Sequence, residues 1–553
     1  MFDLIRRAFV AVGSRQIHLR HAGRGPTVVL IHRAPTSSRS LDLEIEALAR
    51  AGFLAVALDI PGLGLSDSIE GPRIEIEDLA EDLARTLDAL GFRRVALHGS
   101  HTGALIAAAF ARDHPERVTA LLADGYPFFG PRERTHLAAN YFPSNDTRWD
   151  GAHLLWLWAR YREQHLFWPW NSPGEATPAG CDVPDPEFLH EGVIDMLRAG
   201  SGYQRAYAAA FRCSGDELLA SVRVPVYLLA YPDDPLTGAL NSLTELPRNC
   251  VVERLPSDRI AGMTREVELL CRHPADVVEA PFAGGMGTVG TSRAYVDVER
   301  GQLALRVGGP KTGRPLVVLP PIPGSAWMLN DEIRALSQTR PVVAIDAPGC
   351  GDSDPCGVVD AESLGGLVAQ AIDRLGLTDF DLYAVNGGCT AAVEVARQRP
   401  RLDRSVVLES PVRQHQTRPD YADRYAPPIE PRWDGTHLLT LWHMTRARHL
   451  FRPWYEQRLV ARYTAGSGRR LDAEMLDREL LAYLGSWRSY ASIWRLVLGH
   501  ATVQQSRQIG RRVALISQAS DEFHDPTMRL LPEALAPRIA VLLGVLNQCA
   551  SDC

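Results

Sequence analysis

Short apolar runs alternate with amphipathic stretches along the chain, and this alternation predicts strands and helices in turn. Apolar runs of the kind that forms buried strands lie at 27–31, 54–59, 316–319 and 341–346. Amphipathic periodicity at 75–90 and 361–375 is typical of helices. Because strands and helices take turns, we expect a mostly parallel sheet with helices on both faces.

The sequence contains an internal repeat. An Arg-Trp-Asp-Gly-x-His-Leu-Leu motif at 148–155 recurs at 432–439, and each copy is followed by His-Leu-Phe-x-Pro-Trp, at 165–170 and 449–454. The spacing between the copies is far too long for a solenoid, so the repeat predicts two whole domains in tandem. The predicted boundaries are a first domain at 1–280, a linker at 281–291 and a second domain at 292–553.

Within each half the strand pattern stops for a mainly helical insert, at about 126–218 and 411–505. Both inserts are rich in aromatic residues, among them Trp433 and Trp442. Most such residues pack in a core, but an aromatic surface over a cleft favours a flat or hydrophobic ligand. We therefore expect a small hydrophobic or aromatic substrate, with Trp433 and Trp442 as candidate contacts.

The composition argues against several classes of protein. The chain has 553 residues, 46% hydrophobic and 23% charged, which is enough for two cores. Its net charge of −7 gives no nucleic-acid footprint, and no apolar run is long enough to span a bilayer. Residues 1–20 lack the apolar core of a signal peptide. Nine cysteines without a Cys-x-x-Cys pair argue against disulfides and zinc, so we expect a cytoplasmic protein without a metal.

Two strand-to-helix turns carry a family resemblance. The segments at 96–103 and 384–391 resemble the nucleophile elbow of the α/β-hydrolase superfamily, whose Gly-x-Ser-x-Gly pattern holds a nucleophile on a strained corner above a parallel sheet. Loops at 59–67 and 346–354 resemble the Asp-x-Pro-Gly-x-Gly-x-Ser-Asp pattern of the same superfamily. The resemblance covers nearly the whole chain. It implies two tandem α/β-hydrolase domains, each a doubly wound sheet with the helical insert as a cap.

Aligning the two turns places His101 and Cys389 in the nucleophile position. Cys389 would lie at a helix N-terminus, where the dipole favours a thiolate able to attack esters and thioesters. It can instead be a small buried residue that fills a degenerate elbow. His101 can act as acid, base or hydrogen-bond donor, or it can mark an inactive elbow kept for packing.

The resemblance also implies an acid and a histidine. The family positions for the acid are occupied by Asp124 and Asp234 in the first half and by Glu409 and Asp521 in the second. The loop after the last strand, where the family has its histidine, contains none in either half.

Two histidines of the second half are candidates for the missing base of Cys389. They are His524, three residues after Asp521, and His437, which follows Asp-Gly at the start of a cap helix. His437 has a counterpart in the first half, His153. The alternative is that His153 and His437 only hydrogen-bond within their caps.

The oxyanion loop is partly kept. His32-Arg33-Ala34-Pro35 resembles the family's His-Gly segment, which implies Ala34 and Thr102 as N–H donors and Arg33 as an anion contact. The second half has prolines in this loop, and proline has no N–H to donate, so Ile322 and Thr390 are left as the candidate pair.

Three functions remain open. The first is cleavage or transfer of an ester, thioester or lactone of a small apolar molecule through a thioester on Cys389. The second is a cofactor-independent lyase, isomerase or cyclase that uses acid and base residues such as His101. The third is a pseudo-hydrolase that only binds a ligand. No reading requires a cofactor, and the two halves are predicted to pack as a pseudo-dimer.

Overall fold

In the computed structural model the chain forms two compact units. The first comprises residues 1–146, 153–285 and 433–435, and the second 147–152, 286–432 and 436–553. The structure describes residues 5–142, 146–172, 177–178, 182–200, 202–240, 246–279, 291–399, 405–414, 420–462, 472–509, 513–518, 529–531 and 535–551. Except for Thr291, the predicted linker at 281–291 lies outside these residues. Packing of the halves as a pseudo-dimer stays a prediction.

The first unit is built on an eight-stranded sheet in the order β1-β2-β4-β3-β5-β6-β9-β10. The strands are β1 (Arg6–Val12), β2 (Arg15–Ala22), β3 (Thr27–Ile31), β4 (Leu54–Leu58), β5 (Val95–Ser100), β6 (Val118–Asp124), β9 (Val226–Ala230) and β10 (Cys250–Arg254). Only the pairings of β1 with β2 and of β2 with β4 are antiparallel; the described pairs from β4 to β10 are parallel. A short antiparallel pair, β7 (Phe167–Trp168) and β8 (Thr177–Pro178), belongs to the cap.

Ten α-helices are described in the first half. They are α1 (Asp42–Arg50), α2 (Ile76–Ala89), α3 (Thr102–Asp113), α4 (Pro131–Asn140), α5 (Ala152–Glu163), α6 (Pro186–Ala199), α7 (Gly202–Arg212), α8 (Gly215–Ser221), α9 (Thr237–Leu240) and α10 (Arg259–Cys271), with 3-10 turns at Ser38–Leu41 and Pro115–Arg117. Helices α4 to α8 lie between β6 and β9 and form the cap. All five residues of β3 are buried, as expected of a central parallel strand covered on both faces.

The second unit repeats this topology in the order β11-β12-β14-β13-β15-β16-β17-β18. The strands are β11 (Ser292–Val298), β12 (Gly301–Gly308), β13 (Leu316–Leu319), β14 (Val342–Ile345), β15 (Asp381–Val385), β16 (Val406–Glu409), β17 (Val513–Gln518) and β18 (Arg529–Leu531). The described helices are α11 (Asn330–Leu336), α12 (Ala361–Arg374), α13 (Gly388–Gln398), α14 (Tyr421–Tyr425), α15 (Thr436–Arg448), α16 (Ala473–Gly485), α17 (Tyr490–Gly499), α18 (Thr502–Ser506) and α19 (Leu535–Ser551), with 3-10 turns at Ala326–Leu329 and Leu459–Ala461. The predicted fold class, two capped doubly wound domains in tandem, is confirmed.

The repeated Arg-Trp-Asp-Gly motif contributes to packing inside each unit. In the first, the indole N–H of Trp158 donates to the carbonyl of Trp433 over 3.0 Å. In the second, the indole N–H of Trp442 donates to the carbonyl of Trp149 over 3.2 Å. Both donor rings are almost fully buried, whereas 70% of Trp433 is exposed. The motif therefore recurs because two buried indoles need hydrogen-bond acceptors.

Candidate active site

The first elbow has the strained geometry that the superfamily pattern requires. Strand β5 ends at Ser100, helix α3 begins at Thr102, and His101 between them has a φ of 49°. A side chain at Gly103 would place its Cβ 2.1 Å from the carbonyl oxygen of Ile31, so only glycine lets α3 approach the end of β3 this closely. The corner therefore presents the side chain of His101 above the carboxyl end of the sheet.

His101 is hydrogen-bonded to a buried carboxylate. Its Nε2 lies 2.6 Å from Oδ2 of Asp234, in the turn after β9, and the other oxygen of Asp234 accepts the N–H of Leu236 over 2.8 Å. The side chain of His101 is 20% exposed and that of Asp234 only 4%. Of the two acids at the family positions in the first half, Asp124 and Asp234, it is therefore Asp234 that pairs with the side chain of His101.

The pKa of Asp234 indicates where the proton lies in the dyad formed by His101 and Asp234. Burial opposes ionisation of Asp234, but the charge of His101 and the hydrogen bond from its ring outweigh that effect and lower the pKa of Asp234 to about 2. The carboxylate is therefore ionised and accepts the N–H at Nε2. In neutral His101 this leaves the lone pair on Nδ1, which hydrogen-bonds to none of the residues that the structure describes.

Asp124 is placed behind the corner. Its backbone oxygen accepts the N–H of His101 over 2.9 Å, and its carboxyl group is 3.4 Å from the hydroxyl of Ser100. Burial and the nearby charge of Asp234 raise the pKa of Asp124 to about 6. Asp124 and Asp234 are thus separated in pKa, with Asp234 ionised over a wider range of pH.

One of the predicted oxyanion donors, Thr102, lies next to this corner. Thr102 is the first residue of α3, where backbone N–H groups have no acceptor within the helix. A Cβ on Gly103 would also lie 2.8 Å from the carbonyl oxygen of His32, so the start of α3 packs against the residue that precedes Arg33 and Ala34. The charge of Arg33 also contributes to lowering the pKa of Asp234. Ala34 and Thr102 as donors, and Arg33 as an anion contact, remain proposals.

The second elbow corrects the alignment of the two halves. Its positive-φ corner is Asn386, also at 49°, whose N–H donates to the carbonyl of Glu409 as that of His101 does to Asp124. A Cβ on Gly388 would meet the end of β13, 2.4 Å from the carbonyl oxygen of Pro320. Asn386 thus corresponds to His101. The spacing from Asn386 to Gly388, matching that from His101 to Gly103, was the sequence signal that the alignment missed.

The prediction that Cys389 occupies the corner is therefore wrong by three residues. Cys389 is the second residue of α13 and is 0% exposed, and its thiol lies 3.4 Å from the carbonyl oxygen of Ala384 and 3.5 Å from that of Glu409.

The oxyanion pair predicted for the second half is also displaced. The N–H of Thr390 donates to the carbonyl of Gly387 over 3.0 Å, and its hydroxyl bonds to that of Thr502. It is therefore not free to bind an oxyanion. Ile322 lies against the elbow through its carbonyl oxygen, 2.0 Å from where a Cβ of Gly387 would be.

Glu409 is held in a buried ion pair. Its carboxylate accepts the hydroxyl of Tyr383 and, over 2.6 Å, a guanidinium N–H of Arg538 from α19. Arg538 also reaches Glu332 over 2.7 Å. Sequence reasoning did not find Arg538, because no local pattern marks a cation that meets Glu409 from a distant helix.

The remaining candidates of the second half are buried or lie outside the described residues. Nδ1 of His437 accepts the N–H of Arg432 over 3.1 Å, a contact within the cap. His153 in the first half is 3% exposed. Asp521 and His524 lie outside the described residues, so their roles remain predictions.

Within the described ranges, no cluster of His, Cys, Asp or Glu side chains is arranged to hold a metal ion. Over the same ranges no helix combines the length and hydropathy needed to cross a bilayer. The cytoplasmic location stays a prediction.

Comparisons with known proteins agree with this architecture. The profile of the family described as "alpha/beta hydrolase fold" matches residues 26–249 and 314–538. A solved structure of potato (Solanum tuberosum) epoxide hydrolase I covers 48% of this chain and 97% of its own, at 21% identity and a TM-score of 0.38.

Curated relatives match over short segments. Bifunctional epoxide hydrolase 2 of Rattus norvegicus is 34% identical over 119 residues, 21% of this chain and 21% of its own. Epoxide hydrolase B of Mycobacterium tuberculosis is 36% identical over 108 residues, 19% of this chain and 30% of its own. A 2-hydroxy-6-oxononadienedioate/2-hydroxy-6-oxononatrienedioate hydrolase of Burkholderia vietnamiensis is 36% identical over 124 residues, 21% of this chain and 42% of its own. The family match covers most of both units, and this chain belongs to the α/β-hydrolase fold family.

Proposed function

We propose that the first unit hydrolyses an ester, thioester or lactone of a small, largely apolar molecule, with His101 as general base. One observation carries the proposal: Nε2 of His101 is 2.6 Å from an ionised, buried Asp234 at the corner where this fold places its reactive side chain. Asp234 has the role that an acid has beside a catalytic histidine, since it fixes the tautomer and stabilises the imidazolium.

The proposed reaction proceeds without a covalent enzyme intermediate. Nδ1 of His101 takes a proton from a water molecule, and the oxygen of that water adds to the substrate carbonyl carbon. The N–H groups of Ala34 and Thr102 then stabilise the oxyanion. When the carbon–oxygen or carbon–sulfur bond breaks, the imidazolium returns its proton to the leaving group. The products are an acid and an alcohol or thiol.

Acylation of Cys389 is a rival with less support. A thiol nucleophile must be reached by substrate, and Cys389 is 0% exposed inside the first turn of α13. Labelling with iodoacetamide tests it against Cys271, which is a free and exposed thiol. We expect Cys271 to react and Cys389 to stay unlabelled in the folded protein. Rapid labelling of Cys389 that substrate prevents would restore this rival.

Proton transfer without hydrolysis is the second rival, because the same dyad can serve a lyase, isomerase or cyclase. Turnover of aryl and alkyl esters in H₂¹⁸O separates the two. We expect one ¹⁸O atom in the acid product of the wild-type protein and none above background for His101→Asn, which copies the corner residue of the second unit. Turnover without ¹⁸O would favour proton transfer. No turnover of any compound that binds would favour a ligand-binding protein.

A further inference from the structure

Arg160 is buried in the cap of the first unit. It lies in α5, and 1% of the residue is exposed. Its guanidinium carbon lies between 5.3 and 6.0 Å from the centres of four aromatic rings, those of Tyr141, Trp170, Tyr203 and Tyr207. The rings attract the guanidinium through cation–π interactions, but none of these four side chains carries a carboxylate that could pair with its charge.

The hydrogen bonds of Arg160 are incomplete. Nη1 donates to Oε1 of Gln164, and the hydroxyl of Tyr203 lies close enough to the guanidinium for Arg160 to act on its pKa, but neither Nε nor Nη2 makes a well-formed hydrogen bond to a described residue. No acidic side chain of the described chain forms an ion pair with Arg160. Burying a guanidinium with unsatisfied N–H groups is costly, so this arrangement points to a missing acceptor.

The free edge of Arg160 defines the shape of that acceptor. Nε and Nη2 carry parallel N–H groups on one side of the guanidinium, and the two oxygens of a carboxylate match them in a bidentate pair. The indole N–H of Trp170 is also buried without a partner, and its ring lies 5.3 Å from the guanidinium carbon. The hydroxyl of Tyr203, whose ring centre lies 5.8 Å from the guanidinium carbon, is a fourth buried group without a well-formed hydrogen bond. Three of these four groups can only donate, which favours an anion as their ligand.

The cap of the second unit contains a carboxylate of its own. Its buried Arg448 is also surrounded by aromatic rings, those of Tyr425, Tyr483, Tyr490 and Trp494, at 5.1 to 5.7 Å. Burial opposes ionisation of Glu479, but the charges of His449 and Arg448 contribute to lowering its pKa. Glu479 also accepts the hydroxyl of Tyr483 over 2.8 Å. In the repeat, Met444 stands at the position of Arg160 and Arg448 at that of Gln164, whereas Tyr425 stands at that of Tyr141. The aromatic surroundings therefore recur in part, but the cation comes from a different position of the helix.

The charge of Arg160 acts on a residue that the charge of Arg33 also reaches. Burial and the charges of Arg33 and Arg160 lower the pKa of His165, just after α5, to about 3. The charge of Arg33 also acts on Asp234. Arg33 is thus within electrostatic range of both the elbow dyad and the end of the cap helix that carries Arg160.

We propose that the Nε–Nη2 edge of Arg160 binds the carboxylate of a small aromatic or unsaturated acid, and that the substrate of the first unit carries this group. The identification of the ligand as the substrate rests on the proposed function, whereas the carboxylate site itself does not. The aromatic rings around the guanidinium then hold the apolar body of the ligand.

Binding of benzoate to the full-length protein tests the site, with benzamide as the uncharged control. We expect calorimetry to show benzoate binding to the wild-type protein and benzamide binding at least about tenfold more weakly, because charge-assisted hydrogen bonds are lost. Arg160→Met, which copies the second unit, should weaken benzoate binding by at least about tenfold. Arg160→Lys should be intermediate, since lysine keeps the charge without the bidentate edge. Arg448→Met is the matched control and should bind benzoate as the wild type does.

The outcomes separate this proposal from the proposed function. Equal benzoate affinity in the wild type and in a folded Arg160→Met variant would overturn the site, as would the absence of binding to the wild type. Thermal unfolding shows whether each variant is folded. Benzoate binding that persists in His101→Asn supports the site independently of catalysis. If that binding persists while the wild type hydrolyses no ester, the carboxylate site stands and the hydrolytic function fails.

Discussion

The two elbows share a backbone conformation and differ in the side chain at the corner. His101 and Asn386 both have a φ of 49°, and each donates its N–H to the last residue of the neighbouring strand. His101 combines its positive φ with a ψ of −108°, which lies outside the left-handed helical region, so the first corner is a strained conformation for a residue with a side chain. The two side chains differ in what they can do chemically. His101 is an imidazole paired with Asp234, whereas the side-chain amide of Asn386 cannot exchange a proton near neutral pH.

The residues that accept the N–H of each corner residue, Asp124 and Glu409, also differ in the partners of their carboxyl groups. Asp124 has one buried carboxyl oxygen without a hydrogen-bond partner in the described chain, and its pKa is raised to about 6. Glu409, at the matching position, is neutralised by Arg538 and hydrogen-bonded by Tyr383. The first elbow therefore keeps a carboxyl group, that of Asp124, with a pKa of about 6, whereas the carboxylate of the second elbow is held in an ion pair. A conserved backbone does not imply a conserved reaction.

The largest expected effect is that of Asp234→Asn on catalysis. An asparagine cannot stabilise the imidazolium and can hold His101 in the wrong tautomer, so we expect kcat/KM for ester hydrolysis to fall about 10²–10⁴-fold. Asp233→Asn is the matched control, because Asp233 pairs with Arg259 and not with His101. Similar losses in both variants would show that this turn matters only for folding.

Arg538→Met should destabilise the second unit by about 3–5 kcal/mol, because it leaves the buried charge of Glu409 without its cation. Denaturant unfolding measures this loss, and ester hydrolysis by the first unit should continue. Adding Glu409→Gln should restore part of the lost stability. A large loss of activity in Arg538→Met, with stability unchanged, would place the reaction in the second unit.

The register of the second elbow predicts different costs at neighbouring positions. Gly388→Ala should cost about 1–3 kcal/mol, toward the upper end, because the new Cβ meets the backbone of Pro320. Cys389→Ala removes one buried sulfur and should cost about 1 kcal/mol, with kcat/KM unchanged. Unfolding curves and ester kinetics of both variants check this. Loss of hydrolysis in Cys389→Ala would contradict the placement of the reaction at His101.

A further prediction concerns the pH dependence of stability. The pKa of Asp124 is about 6 in the folded chain, above the unfolded value near 3.9, so the folded state binds more protons between these values. Stability contributed by protonated Asp124 is therefore present below about pH 4 and lost as pH rises through 6, by about 3 kcal/mol. Asp124→Asn should remove this decrease from unfolding curves measured at pH 4, 5, 6 and 7. Parallel curves for the two proteins would show that Asp124 ionises normally.

The sequence predicted the fold well because fold signals are local and were present twice. Strand runs, helical periodicity and the repeated motif specify both sheets without knowledge of long-range contacts. His101 and Asp234 were both named as candidates from the sequence, and they meet because the fold brings the turns after β5 and β9 to the same edge.

The wrong predictions and the missed residues depend on how the chain is arranged in three dimensions, which local sequence patterns do not show. The apolar run before Asn386 does not show where β15 ends, so the alignment shifted Cys389 to the corner. The partners of Glu409 and the surroundings of Arg160 are assembled from segments far apart in the chain. No periodicity or motif records such contacts.

Chemical rescue tests most directly whether the imidazole at the first corner carries the reaction. His101→Gly removes the ring while glycine accepts the positive φ of the corner without strain. We predict that this variant loses ester hydrolysis about 10²–10⁴-fold and that added imidazole restores activity in a saturable manner, with no such effect on Asn386→Gly. Wild-type activity in His101→Gly without imidazole would contradict the assignment of His101 as the base.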